Sequence, residues 1–118
     1  QPARAGAIWF GSTGAAMAES LAELAKEGIH LDQMRIRAFP FADAVAEFIA
    51  EHEHVFVVEQ NRDAQLKMLL VNECGIDPQK LISILHYDGN PLTERFVTRE
   101  IAEQARLFNV TPLRKVAR

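Results

Sequence analysis

The chain has 118 residues, 48% of them hydrophobic and 25% charged, with a formal net charge of −3. That length suits one compact domain over residues 1–118, burying roughly 65% of its unfolded surface, enough for a core without metals or disulfides. These figures exclude intrinsic disorder, collagen and coiled coil; no apolar run approaches the roughly 20 residues of a membrane helix, and neither membrane nor nucleic acid is expected as a partner.

Ala5-Gly6-Ala7-Ile8-Trp9-Phe10 reads as a buried strand, short and almost wholly apolar. Gly11-Ser12-Thr13-Gly14 is the turn after it. A helix is predicted from about Ala15 to Glu27, with Met17, Leu21, Leu24 and Ala25 on one face and Gly28 placed to end it in a left-handed conformation. Met34–Phe39 begins with apolar and polar residues in alternation, as expected of a strand near the sheet edge, and Pro40 stops it. The next helix spans about Ala42 to Glu53, with Val45, Phe48 and Ile49 facing inward and Asp43 in or beside its first turn. Val55-Phe56-Val57-Val58 has the composition of a central parallel strand.

The polar run Glu59-Gln60-Asn61-Arg62-Asp63 then precedes a helix from about Ala64 to Glu73, with Leu66, Leu69 and Leu70 inward. Gly75, Asp77 and Pro78 break that helix, and Leu81–Leu85 is the fourth strand. His86–Pro91 is a turn-rich loop, and Thr93 can cap a last helix from about Glu94 to Phe108, striped with Phe96, Val97, Ile101, Ala105 and Phe108. The tail carries Arg114, Lys115 and Arg118 and is expected to be exposed.

Strand and helix thus alternate four times. Right-handed crossovers between parallel strands place helices on both faces of a sheet. The expected fold is a three-layer α/β/α sandwich with a mainly parallel four-stranded sheet in the order 2-1-3-4. In such sheets ligands bind outside the carboxyl ends of the strands, where the order reverses, here between strands one and three. The segments ending those strands are Gly11, Ser12, Thr13 and Gly14, and Glu59, Gln60, Asn61, Arg62 and Asp63.

The first segment offers backbone N–H groups, two hydroxyls and a positive helix end to an anion, or serves simply as a capped turn. It lacks the pattern of a dinucleotide fingerprint or a P-loop. Glu59 can accept backbone N–H bonds or pair with Arg62 across the turn; structural or interface use is expected ahead of catalysis. His52-Glu53-His54 is not a metal pair, because residues two apart on a helix point about 200° from each other; a solvated surface is expected there. His30 and His86 are lone loop histidines, and Cys74 has no flanking base in sequence. A single cysteine excludes an internal disulfide and a cysteine-ligated cluster, and fits a reducing, cytoplasmic location. The start at Gln1 rather than Met, close to a strand, suggests a fragment of a longer polypeptide.

Three blocks carry a family resemblance: Trp9-Phe10-Gly11-Ser12-Thr13-Gly14-Ala15, then Val57-Val58-Glu59-Gln60-Asn61-Arg62-Asp63-Ala64-Gln65-Leu66, then Tyr87-Asp88-Gly89-Asn90-Pro91-Leu92-Thr93. From about Ala5 to Phe108 the chain resembles the transketolase C-terminal-like domain at the end of the alpha subunit of 2-oxoacid:ferredoxin oxidoreductases, the 2-oxoglutarate type above all. Asp63-Ala64 departs from the Thr-Gly or Ser-Gly of many members.

The resemblance implies part of an enzyme that oxidatively decarboxylates a 2-oxoacid, forms the acyl-coenzyme A and reduces ferredoxin. That whole enzyme is expected to use thiamine diphosphate, magnesium, an iron–sulfur cluster and coenzyme A. None of these is expected in this domain, and no catalytic residue is carried over. The implied partners are the remaining domains of the alpha subunit and the beta subunit, with ferredoxin for the whole enzyme. Gly11, Ser12, Thr13, Gly14, Glu59, Gln60, Asn61 and Arg62 stand as anion-binding or interface candidates. A free-standing nucleotide- or anion-binding module is the alternative reading, and a small enzyme using Glu59 a third.

Overall fold

Strand and helix alternate through the residues described in a computed structural model, namely 5–10, 14–37, 43–87, 89 and 92–107. The elements are β1 (Ala5–Phe10), α1 (Gly14–Lys26), β2 (Leu31–Ile36), α2 (Asp43–Ala50), β3 (His54–Glu59), α3 (Gln65–Cys74), β4 (Leu81–Leu85) and α4 (Glu94–Leu107), with a 3-10 turn at Pro78–Lys80. All pairings are parallel, in the order β2-β1-β3-β4. The expected sandwich and strand order are therefore present.

Alternate strand residues feed two cores. Ala5, Ala7, Trp9, Phe56, Val58, Ile82 and Ile84 face Met17 and Leu24 of α1 and Val97, Ile101 and Ala105 of α4. Ile8, Val55, Val57 and Leu81 face Val45, Phe48 and Ile49 of α2 and Leu66 and Leu70 of α3. The central strands β1 and β3 are covered on both sides, which is why they read as apolar runs. Gly28 adopts φ 88 after α1, as expected of a left-handed helix end.

Three boundaries differ from the sequence reading. β2 begins at Leu31, not Met34, and ends at Ile36. Its limits are set by the six residues of β1, Ala5 pairing with Leu31 and Phe10 with Ile36, rather than by its own alternation. α2 ends at Ala50, because the chain tightens through a His52 N–H to Ile49 carbonyl bond of 3.2 Å. Leu69 is 40% exposed, since Leu66 and Leu70, four apart, already define the buried face of α3. The turn at Gly11–Thr13, Pro40, Phe108 and the basic tail lie outside the described residues.

Candidate functional site

The order of the strands reverses between β1 and β3, and the residues that end them form the rim of the crevice there. Phe10, the last residue of β1, is 47% exposed. Of the Gly11–Gly14 turn only Gly14 is described: it opens α1, with Arg35 Nη1 3.8 Å from where a Cβ would stand.

Glu59 ends β3 and is buried, 5% exposed. Its side chain lies on the α2–α3 face, because Val57 two residues earlier does. From there it reaches the start of α3. Oε1 accepts the Leu66 N–H at 2.7 Å, and Oε2 accepts the Lys67 N–H at 3.0 Å. Asn61 completes the arrangement. Its Nδ2 donates to Glu59 Oε1 at 2.9 Å, while its Oδ1 accepts the Asp63 N–H at 3.1 Å and the Gln65 N–H at 3.3 Å. The residue preceding α3, Ala64, supplies no side-chain cap and stands at φ 52, ψ 46. A carboxylate from the preceding strand thus occupies the positive end of α3, where an external anion would otherwise bind.

The other candidates turn outward. Gln60 is exposed, and the exposed Arg62 lies over the ring of Tyr87, with its guanidinium carbon 6.0 Å from the ring centroid. Glu59 makes its bonds to α3 and Asn61, and no Glu59–Arg62 ion pair forms among the described residues. Tyr87 is itself 59% exposed. The rim of β1, β3 and β4 therefore presents Phe10, Gln60, Arg62 and Tyr87 to the surroundings. The indole Nε1 of Trp9 is buried without a hydrogen-bond partner among the described residues.

Two histidines correct the sequence reading. His52 was expected on a solvated surface; it is 3% exposed. Its Nδ1 lies 2.6 Å from the Phe48 carbonyl oxygen and its Nε2 2.7 Å from Asp32 Oδ2. The ring lies tilted against that of Phe48, centroids 4.5 Å apart, and its two hydrogen-bonding contacts tie the end of α2 to β2. His54 begins β3. His86 lies in the loop after β4, as expected, but it is buried, its backbone N–H donates to the Glu59 carbonyl at 2.9 Å, and its ring sits edge-on to Phe96 at 4.8 Å. Burial and the neighbouring Glu73 carboxylate push the Cys74 thiol pKa up, which lowers its nucleophilicity at neutral pH. A polar contact between α1 and α4 was missed altogether: Thr98 Oγ1 lies 2.9 Å from the buried Ser20 Oγ and 2.8 Å from Glu94 Oε2.

Among the described residues no group of three or more His, Cys, Asp or Glu side chains could hold a metal ion. One cysteine does not supply the thiolates of an iron–sulfur cluster. No helix among the described residues is long and apolar enough to cross a membrane.

No protein-family model and no curated protein matches the chain. Among solved structures, a 2-oxoglutarate:ferredoxin oxidoreductase from Magnetococcus marinus, with 2-oxoglutarate, coenzyme A and succinyl-CoA bound, contains a similar fold. The TM-score is 0.70 with 26% sequence identity, over 87% of this chain and 18% of that chain. The structural similarity and the resemblance drawn from the sequence lead to the same enzyme.

Proposed function

We propose that this chain is the transketolase C-terminal-like domain of the alpha subunit of a 2-oxoacid:ferredoxin oxidoreductase of the 2-oxoglutarate type, and that it serves assembly rather than chemistry. The observation that carries this is the likeness to the Magnetococcus marinus enzyme, which runs through 87% of this chain yet takes up only 18% of the other. Thiamine diphosphate, magnesium, the iron–sulfur cluster and the coenzyme A site then belong to the rest of a cytoplasmic assembly. With a single cysteine, the donor set of this chain does not fit a resident cluster.

In that reading the rim of Phe10, Gln60, Arg62 and Tyr87 meets the remaining alpha-subunit domains or the beta subunit. Exposed aromatic and arginine side chains are the types that anchor interfaces. Glu59 and Asn61 act one layer below by fixing the segment that carries Arg62. The alternative, a free-standing anion-binding module, is left with the turn at Gly11–Gly14, since Glu59 and Asn61 already take the first N–H groups of α3.

The test is made on the native protein. An antibody raised against this chain recovers the endogenous antigen, whose polypeptide mass, thiamine diphosphate and iron are measured. A much longer polypeptide carrying both, with a second subunit, is the expected result. A free 13.2 kDa protein without them would overturn the reading.

A further inference from the structure

Among the described residues β4 pairs with β3 alone and forms one edge of the sheet. Its sequence, Leu81-Ile82-Ser83-Ile84-Leu85, contains no charge, no proline and no glycine, the usual means by which proteins protect an edge. The direction of its backbone groups follows from one bond. The His86 N–H points to the Glu59 carbonyl of β3 at 2.9 Å. Alternation along the strand then turns Ile84 and Ile82 toward β3 as well, and turns Leu81, Ser83 and Leu85 outward. The Leu81 N–H is taken by the carbonyl of Pro78. The N–H groups of Ser83 and Leu85, and the carbonyls of all three residues, face away from the sheet.

The strand is also a palindrome about Ser83. We infer that β4 is a self-association surface whose occupant is the β4 strand of a second copy of this chain, antiparallel and centred on Ser83. A two-fold interface must be self-complementary. In this register Ser83 faces Ser83, Leu81 faces Leu85 and Ile82 faces Ile84, so each residue meets its own kind or its near equivalent. The register also pairs four of these five outward groups, leaving the Leu85 carbonyl opposite the Leu81 N–H that Pro78 already holds. The two Ser83 residues exchange both of their backbone bonds, and the Leu85 N–H of each copy donates to the Leu81 carbonyl of the other. A shift by one residue would set inward-directed groups of one copy against outward-directed groups of the other.

The flank of the strand suits the same partner. A groove of about 310 Å³ runs between β4 and α3, lined by Lys67, Met68, Val71, Pro78 and Ser83 among others. Met68 is 59% exposed. The two-fold axis would bring the α3 helices of the copies side by side on one face of a continuous eight-stranded sheet. The groove and Met68 then add apolar contact to the strand pairing, toward the roughly 1,200 Å² of total area a stable dimer needs.

The inference does not depend on the enzyme assignment, and its test uses this chain. Sedimentation equilibrium should give twice the 13.2 kDa chain mass for the unaltered protein. Ser83→Pro removes an N–H that faces outward and leaves the bonds to β3 in place, a substitution edge strands tolerate. It should return the mass to that of one chain with an unchanged far-UV circular dichroism spectrum. Independently, Ser83→Cys in a Cys74→Ser background should form a disulfide-linked dimer on mild air oxidation, because hydrogen-bonded antiparallel pairs lie roughly 5.5 Å apart at Cα, within disulfide reach. A single-chain mass at every concentration, a dimer that Ser83→Pro leaves intact, or a Ser83→Cys protein that does not cross-link would each overturn the inference. Should Ser83→Pro unfold, the cysteine experiment decides.

Discussion

Glu59 and Leu66 lie seven residues apart, yet the carboxylate of the first accepts the backbone N–H of the second at 2.7 Å, joining the end of β3 to the first turn of α3. The other oxygen takes the Lys67 N–H at 3.0 Å. Both oxygens are needed as acceptors. Glu59→Gln keeps one and turns an amide N–H₂ toward a second donor or toward Asn61. We expect a loss of about 2 kcal/mol in urea unfolding, the scale of hydrogen bonds to a charged group. Asn61→Ala removes two backbone N–H bonds and one donor to the Glu59 carboxylate from the same turn, and should cost about 1–2 kcal/mol. A Glu59→Gln protein as stable as the unaltered chain would show that the carboxylate does not hold α3.

Ala64 stands next to this junction at φ 52, the one non-glycine residue with positive φ among the described residues. A left-handed conformation costs a residue with a Cβ about 1–2 kcal/mol. It falls on the very position where the chain carries Asp63-Ala64 in place of the Thr-Gly or Ser-Gly of many members of the family it resembles. Ala64→Gly removes the steric cost and adds some unfolded-state entropy, so a net gain of about 0.5–1 kcal/mol is expected in the same unfolding experiment. A loss would mean that the Ala64 methyl contributes packing that outweighs the strain.

The strands of this fold were legible because buried parallel strands are apolar on both faces, and Ala5–Phe10, Val55–Val58 and Leu81–Leu85 state that in their composition. The start of β2 was not, because Leu31-Asp32-Gln33 becomes strand by pairing with β1 and carries no alternation of its own. Glu59 and its cluster were legible as a site of interest, since five polar residues after an apolar strand are conspicuous; which partner Glu59 takes depends on where α3 begins. His52 escaped for a different reason. Its ring partners are a carbonyl one helical turn back and Asp32, 20 residues away, and periodicity reports neither. Ser20 and Thr98 meet across 78 residues in the same way.

Cys74 gives a prediction about reactivity. Burial, and secondarily Glu73, raise its pKa, so less thiolate is present at neutral pH than for an ordinary cysteine. Iodoacetamide should modify it more slowly than a cysteine in an unstructured peptide, and urea should remove the difference. Glu73→Gln should speed the reaction by removing the lesser cause. As pH rises through the ordinary thiol range the unfolded chain ionises first, so Cys74 contributes a decline in stability with increasing pH. A folded-state rate equal to that of the peptide would refute the raised pKa.

Gly6 and Phe48 give the sharpest packing test. A Cβ on Gly6 would stand 2.7 Å from Phe48 Cζ and 2.8 Å from Cε2, closer than carbon atoms approach. The ring is at the end of a side chain and would ordinarily move aside. Here it is held between β1 and the His52 ring, with centroids 4.5 Å apart, and His52 is fixed by the Phe48 carbonyl and Asp32. Gly6→Ala should therefore cost about 1–3 kcal/mol as overpacking. Phe48→Leu alone shortens the side chain and should also destabilise. In the double variant the leucine leaves room for the alanine methyl, so the combined loss should be smaller than the sum by about 1 kcal/mol or more, a coupling expected of residues in contact. Strict additivity would show that the helix shifts as a body away from β1, and that His52 does not pin it there.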